Sequence, residues 1–326
     1  MKAIKFFAIS AMAAAMITSC SSEDELSQSN YPSDNIVRVT AGVNNAKTRA
    51  EGAGTEMKND FSLTIVNKNA SKYTYTDKVF SKSSGDWACS ETLLWQKSDA
   101  LVDIVAFAPA QTGKFNGVYA NGSIQPIAYS VAKDQTTADD KNDLLYYYAK
   151  DFNPGESLDK GKLKIQFNHA FCMIDINVTL GTEFNKPEVL KESPIVKVTL
   201  GGTKIAANVN VTNAASVVTI SETDAATDIT TTKGSFDKAA DPEANAKSHF
   251  SCIAIPQTVA ANTFKVSLMT ADKLYEWTSD KEITLQSGYR YTLKLSMGND
   301  VVLLKGGSIS ATPWTEITSD KPLETD

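Results

Sequence analysis

Apolar residues recur at every second position along most of the chain. The segments 37–43, 61–66 and 163–167 all alternate apolar with polar or small residues. A period of two places the apolar side chains on one face of a β-strand, so these segments are predicted to be half-buried strands. Further strands are predicted over 101–108, 144–149, 172–178, 195–200, 250–255, 264–269, 274–278 and 289–297.

The spacing of these strands, with turn residues between them, is typical of antiparallel β-sandwiches. Helical signals are few, and the sequence predicts only short helical turns near 137–141 and 239–246. The turn-rich segment 151–156 predicts a domain boundary near residue 160. At roughly 150 residues per domain, a chain of 326 residues also suggests two domains. We therefore predict an all-β chain of two tandem antiparallel β-sandwiches: strand 37–43 with 50–160, then 161–298, followed by an extension over 299–326.

The first twenty residues have the pattern of a bacterial lipoprotein signal. Lys2 and Lys5 precede an apolar run over 6–17, which is too short to cross a bilayer. The following Met-Ile-Thr-Ser-Cys resembles a lipobox, in which Cys20 is acylated after residues 1–19 are removed. The alternative is an ordinary signal peptide that contains a cysteine.

Residues 21–35 are polar, have no periodicity and predict a flexible tether. The acidic triplet 23–25 resembles the tag that sends lipoproteins of some Gram-negative anaerobes to the outer face of the outer membrane. Residues 20–49 are thus interpreted as a lipidated tether that ends in the first strand.

Charge and candidate chemistry argue against several functions. Lys and Arg number 32 against 38 Asp and Glu, a net charge of −6 without a basic cluster, which disfavours nucleic-acid binding. His169 and His249 lack a carboxylate or cysteine at a catalytic spacing, and the sequence has no phosphate loop or nucleophile elbow. Asp139, Asp140 and Asp143 lack the glycine and terminal glutamate of a calcium loop. We therefore predict a protein that is not an enzyme and has no cofactor or metal.

The cysteines and tryptophans leave alternatives open. With Cys20 assigned to lipid, Cys89, Cys172 and Cys252 remain. The last two lie in predicted strands of the second half, where they form a disulfide or stay as buried free thiols. Core packing is favoured over a sugar-stacking platform for the four tryptophans, which are Trp87, Trp95, Trp277 and Trp314.

Several short motifs together resemble the fimbrillin-like lipoproteins. The lipobox and strand 37–43 are followed by Lys-Thr-Arg-Ala over 47–50. Similar matches follow in the same order at Leu94-Trp95, 105–109 (Val-Ala-Phe-Ala-Pro), 142–146 (Asn-Asp-Leu-Leu-Tyr), 163–170 (ending Phe-Asn-His-Ala) and 309–314 (ending Pro-Trp). The resemblance implies a type V pilus subunit of Gram-negative anaerobes, exported as a lipoprotein and built from two transthyretin-like sandwiches.

The resemblance also implies proteolytic processing. An arginine-specific protease would cut between Arg49 and Ala50, removing 20–49 and with it the first strand. The sandwich would then have an open edge that a strand of another subunit fills by β-augmentation. The apolar positions of the removable strand are Val37, Val39, Ala41 and Val43.

The C-terminal extension is a candidate donor of that strand, because it is apolar, contains a Gly-Gly pair and alternates again near its end. The alternative is that it completes its own second domain. Its candidate donor residues are Val301, Val302, Leu303, Leu304, Ile309, Ala311 and Trp314.

The main functional hypothesis is a structural and adhesive subunit, stalk or tip, of an extracellular fimbrium. Its expected partners are other pilin subunits, the processing protease, the outer membrane before cleavage, and a host or microbial surface ligand. The alternative is a monomeric surface glycan-binding lipoprotein that keeps its lipid and strand 37–43. Cleavage after Arg49 distinguishes the two.

Overall fold

The computed structural model describes residues 30–44, 55–57, 59–185, 188–221, 224–299, 302–304 and 309–314. The strands of its first half are β1 (Arg38–Val43), β2 (Thr55–Glu56), β3 (Phe61–Asn67), β4 (Tyr75–Ser83), β5 (Asp86–Cys89), β6 (Val102–Ala108), β7 (Tyr119–Ala120), β8 (Ser123–Ile124), β9 (Ile127–Ser130), β10 (Leu145–Phe152) and β11 (Lys162–His169).

The second half is also built mainly of β-strands. Its strands are β12 (Cys172–Leu180), β13 (Lys197–Gly201), β14 (Ala206–Val209), β15 (Val218–Ile220), β16 (Ile229–Thr230), β17 (Thr232–Asp237), β18 (Lys247–Ala254), β19 (Thr258–Val259), β20 (Lys265–Met269), β21 (Leu274–Thr278), β22 (Ile283–Thr284), β23 (Tyr289–Met297), β24 (Val302–Leu304) and β25 (Ser310–Pro313). The described helical segments are α1 (Pro154–Ser157) and 3₁₀ turns over Ser71–Tyr73, Asn116–Val118, Asp140–Asn142 and Thr182–Asn185. The predicted all-β fold class is confirmed.

The first sheet has eight strands in the order β2-β1-β11-β10-β6-β3-β4-β5. It curls until β1 packs against β5 near the opposite edge, and the inward side chains form the first core. Phe61 lies at the centre of this core, with its ring 5.4 Å from that of Phe80 and 5.5 Å from that of Phe167. β3 and β6 are buried along their whole length. For β6 the reason is that Val105 and Phe107 on its other face pack into the second core.

The second core lies between two sheets of the second half. One sheet has the order β17-β18-β12-β23-β24, with β25 also pairing with β23, and the other has the order β16-β13-β20-β21. Alternate residues of β12 are buried, as its period-two pattern predicts. A third sheet, β15-β14-β9, pairs a strand of the first half with strands of the second.

Three details differ from the sequence-based expectation. β1 pairs with β11, and β12 with β23, in parallel rather than antiparallel orientation. The chain leaves the first sheet between His169 and Cys172, after β11, whereas the predicted boundary near 160 precedes that strand. Residues 239–246 form turns and no helix, and the Asp241 carboxylate accepts the N–H groups of Glu243 and Ala244 in one of these turns. The transthyretin-like arrangement of each sandwich stays a prediction.

Of the helices in the described ranges, none is long and apolar enough to span a membrane. The predicted signal peptide, residues 1–19, lies outside those ranges.

Candidate functional site

β1 lies between β2 and β11, near one edge of the first sheet. It pairs with β11 in six parallel residue pairs and with the two-residue strand β2 in two antiparallel pairs. Just before the strand, the Val37 N–H donates to the Leu93 carbonyl oxygen at 2.9 Å. The Trp95 N–H donates to the Asn35 carbonyl oxygen at 2.8 Å. The chain from Asn35 onward is therefore bound on both sides by backbone hydrogen bonds.

Four side chains of this segment point towards the first core. Val37, Val39 and Val43 are buried, with exposed fractions of 6%, 3% and 2%, and Ala41 is partly buried. Burying a valine stabilises a fold by about 1.5–3 kcal/mol, so the three together contribute about 5–9 kcal/mol. Because whole domains are stable by about 5–15 kcal/mol, the segment 37–43 is a major part of the stability of the first core.

Most of β11 depends on β1 for its strand pairing. On its other side, β10 pairs with β11 only through Leu145 opposite His169 and Tyr146 opposite Asn168. Within the described residues, the strand that pairs with 162–167 is β1. Removing β1 would leave this stretch without a strand partner.

The same stretch carries fully buried side chains. Leu163, Ile165 and Phe167 have no exposed surface, and the Phe167 ring meets Phe61 edge-on. Unpaired backbone groups beside apolar side chains form an open sheet edge, which takes up a further strand readily. We call the space that β1 fills, between β11 and β5, the strand groove.

The C-terminal segment, described over 302–304 and 309–314, extends the sheet that contains β23. β24 pairs with the end of β23, and β25 pairs with its beginning, both antiparallel. Val302 is buried and Ile309 is partly buried, whereas Ala311 is exposed like the other three residues of β25. Leu303 and Leu304 lie in β24, and Val301 is outside the described residues. The four side chains of β25 therefore contribute little apolar burial to its place on β23.

Trp314, directly after β25, is buried, unlike the residues of β25. It is only 7% exposed, and its ring stacks on the imidazole of His169 with 3.9 Å between centroids and 12° between planes. The backbone N–H of Trp314 donates to the Gly288 carbonyl oxygen at 2.7 Å. The His169 Nδ1 lies 3.0 Å from both carboxylate oxygens of Asp143, which fix the orientation of the ring. Among the described residues, His169 Nε2 has no hydrogen-bond partner.

A cavity of about 430 Å³ lies where these segments meet. Asn44, the residue after β1, lines it together with Asn168, His169, Gly288 and Trp314. The Asn44 Nδ2 donates to Asn168 Oδ1 at 2.8 Å, and the Asn44 N–H donates to the Phe167 carbonyl oxygen at 2.8 Å. The residue after β1 and the residue after β25 thus lie at the same end of β11.

The remaining cysteines are free. Cys172 lies opposite Ala254 and Cys252 opposite Ile174, so the two cysteines are offset by two residues on neighbouring strands. Burial raises the pKa of both thiols, and the Cys172 thiol donates to the Ala254 carbonyl oxygen at 3.2 Å. Of the two alternatives, the structure has the buried free thiols. Cys89 is partly exposed.

The other candidate residues have structural partners. The Asp139 carboxylate accepts the Lys141 N–H and caps a 3₁₀ turn, and His249 bonds Asn177 and Asp237. In the described ranges, no group of three or more His, Cys, Asp or Glu residues is arranged to hold a metal ion.

The four tryptophans do not form an exposed platform. Trp95 and Trp314 are buried, and Trp87 and Trp277 are partly buried against the two cores. Trp95 also stacks on Phe152, with 6.1 Å between ring centroids.

The lipidation and processing residues predicted from the sequence, Cys20, Arg49 and Ala50, lie outside the described residues. Sequence reasoning missed the contact between His169 and Trp314. Both residues stand in motifs that it singled out, but nothing in the sequence links the two motifs.

Comparison with known proteins finds one matching family and several solved structures of similar fold. A model of the fimbrillin-like family matches residues 48–314. A candidate cell adhesion protein from Bacteroides ovatus is 16% identical with a TM-score of 0.60, over 86% of this chain and 98% of that one. A similar protein from Bacteroides uniformis is 16% identical with a TM-score of 0.57, over 87% and 100%. A fimbrial protein from Bacteroides vulgatus is 16% identical with a TM-score of 0.54, over 86% and 99%.

No curated protein sequence matches this chain. At 16% identity, the solved structures show a likeness of fold alone.

Proposed function

Because the chain belongs to the fimbrillin-like family, we propose that it is a fimbrial subunit that is cut after Arg49 and polymerises by strand exchange. In this proposal it reaches the outer membrane as a lipoprotein acylated at Cys20 and becomes part of an extracellular fimbrium as stalk or tip. Family membership suggests a structural rather than an enzymatic protein, and other pilin subunits as its partners.

One observation carries the proposal. β1 is the strand partner of residues 162–167 and ends at Val43, six residues before Arg49. A cut at Arg49 would therefore separate the whole of β1 from the body of the protein. Once β1 leaves, the strand groove offers unpaired backbone groups and an apolar core to an incoming strand, which are the two requirements of β-augmentation.

The positions of the arginines support Arg49 as the processing site. The chain has three, Arg38, Arg49 and Arg290. Arg38 lies in β1 with its guanidinium 2.6 Å from Asp34, and Arg290 lies in β23 with its Nε 3.2 Å from Asp175. A protease binds an extended and unpaired segment, so strand pairing protects both of these residues from cleavage.

The incoming strand is proposed to come from the C-terminal segment of another subunit. β25 has all four side chains exposed in its place on β23, so leaving that place gives up little apolar burial. Acceptor groove and donor segment belong to different sheets, and such a head-to-tail contact builds a filament rather than a closed dimer.

Digestion with an arginine-specific protease tests this function. We expect one cut, after Arg49, followed by SDS-resistant ladders of the body that begins at Ala50. The Arg49→Lys variant is the matched control, since it keeps the charge but removes the cleavage site. A chain that is cut cleanly and stays monomeric would refute polymerisation by strand exchange.

Truncation before Val301 tests the donor separately. The truncated chain should be cut like the full chain and remain monomeric. It should also join a ladder when mixed with full-length chains, because its groove is intact. Normal homopolymerisation of the truncated chain would show that the donor strand lies elsewhere.

A further inference from the structure

β25 contributes only exposed side chains to its place on β23, whereas the residue that follows it is buried. The side chains of β25 are exposed, whereas Trp314 is buried against the His169 imidazole. A stacked aromatic pair contributes about 0.5–1.5 kcal/mol beyond its area burial. The stack therefore adds to the four residue pairs that β25 makes with β23.

The imidazole on which Trp314 stacks belongs to β11, a strand of the first sheet, and not to the sheet that contains β23 and β25. His169 is the last residue of β11, directly after Asn168. Asp143 fixes the imidazole from one side, and backbone pairing to Leu145 holds the strand at this point. Towards its beginning, β11 is paired with β1 alone among the described strands.

Asn44 ties the end of β1 to the same place. Its side chain bonds Asn168 and its N–H bonds the Phe167 carbonyl oxygen. It also forms a wall of the cavity that Trp314 lines. Loss of β1 would remove this wall and leave residues 162–167 of β11, which precede Asn168 and His169, without a strand partner.

We propose that Trp314 is a latch that keeps the C-terminal segment on its own second domain, and that removal of β1 releases this latch through β11. The proposal rests on the function proposed above, in which the segment up to Arg49 is removed. It links the two ends of the subunit in one order: a subunit frees its own donor strand only after its own groove has opened. Uncut subunits would then neither accept nor offer a strand.

Hydrogen exchange measured by mass spectrometry tests the latch. It compares the uncut chain with the chain cut after Arg49, at a concentration low enough to prevent assembly. We expect exchange of residues 309–313 and 289–292 to rise at least tenfold on cutting and release of the N-terminal segment. Exchange of β17, at the far edge of the same sheet, should stay unchanged.

Two variants of the uncut chain separate the steps. Trp314→Ala should raise exchange of 309–313 without cleavage, whereas the matched control Thr312→Ala, at an exposed position of β25, should not. Gly42→Pro removes a backbone donor within β1. It should raise exchange in β11 and, through the latch, in 309–313.

The outcomes distinguish this proposal from the proposed function. If, in the cut chain or in Gly42→Pro, exchange becomes faster in β11 but stays unchanged in 309–313, the latch is overturned. That result would not contradict polymerisation by strand exchange. Failure of cleavage or of ladder formation overturns the proposed function instead, and Gly42→Pro still decides the coupling between β1 and Trp314.

Discussion

Replacing Val39 by alanine should shorten the time for which the cut N-terminal segment stays bound to the body. Val39 is 3% exposed and faces the first core from the middle of β1. The change removes two buried carbon groups, worth about 0.8 kcal/mol each. The space left behind adds up to about 1 kcal/mol, so the total loss is about 2–3 kcal/mol.

Since 1.4 kcal/mol corresponds to a factor of ten, this loss shortens the bound lifetime about 30- to 140-fold. The assay follows the chain after cutting at Arg49. Free peptide is removed by size exclusion, and native mass spectrometry records the fraction of bodies that still carry the segment over time. In the uncut chain, the same variant should lower the free energy of unfolding of the first sheet, measured by hydrogen exchange, by the same 2–3 kcal/mol.

Thr40→Ala is the matched control, because Thr40 is the next residue of β1 and its side chain is exposed. An exposed substitution of this kind changes stability by less than about 0.5 kcal/mol. If the two variants release the segment at the same rate, burial of the valines in the strand groove is not what holds β1, and the reasoning above fails.

Three further predictions concern the rest of the molecule. Cys172 and Cys252 should resist maleimide at pH 8, because burial raises their pKa and keeps the thiols protonated; both should react once guanidinium unfolds the chain, as labelling mass spectrometry would show. Gly202→Ala should destabilise the protein by about 3 kcal/mol or more, because the φ of Gly202 is +87° and a Cβ there would clash with a backbone carbonyl. Gly122→Ala is the control: its φ is +77° but the Cβ meets open space, so the cost should be only about 1–2 kcal/mol. Thermal unfolding measures both. Burial raises the pKa of Tyr129 to about 12, so the protonated phenol contributes fully to stability below pH 10, and this contribution is lost as the pH rises towards 12. Chemical denaturation across that range should show a smaller alkaline loss of the free energy of unfolding in Tyr129→Phe than in the unchanged chain.

The alternation of residues predicted where strands lie better than it predicted which strands pair. Leu163, Ile165 and Phe167 were expected to face a core, and they do. Period two cannot say which core, however, so the predicted boundary near 160 precedes β11 although β11 belongs to the first sheet. Its pairing with β1 joins segments about 124 residues apart, as the bond between Asn44 and Asn168 illustrates.

The site was predictable to a similar degree. The inward positions of the first strand follow from its own pattern, and the tryptophans were expected in cores. The partners of His169 could not be foreseen, because Asp143 and Trp314 reach it from separate parts of the chain. Such contacts join segments that are far apart in the sequence, and local sequence patterns do not indicate which distant segments meet.

The eleven residues between Val43 and Thr55 join β1 to β2. A connection of this length holds β1 at an effective concentration on the order of millimolar beside its groove, whatever the concentration of other subunits. A competing strand at micromolar concentration is then outnumbered about a thousandfold, even if it fits equally well. Hydrolysis of one peptide bond within this connection removes that advantage without changing any contact in the groove. The bond after Arg49 would thus act as a concentration switch, and dilution into the surroundings would make the loss of β1 permanent.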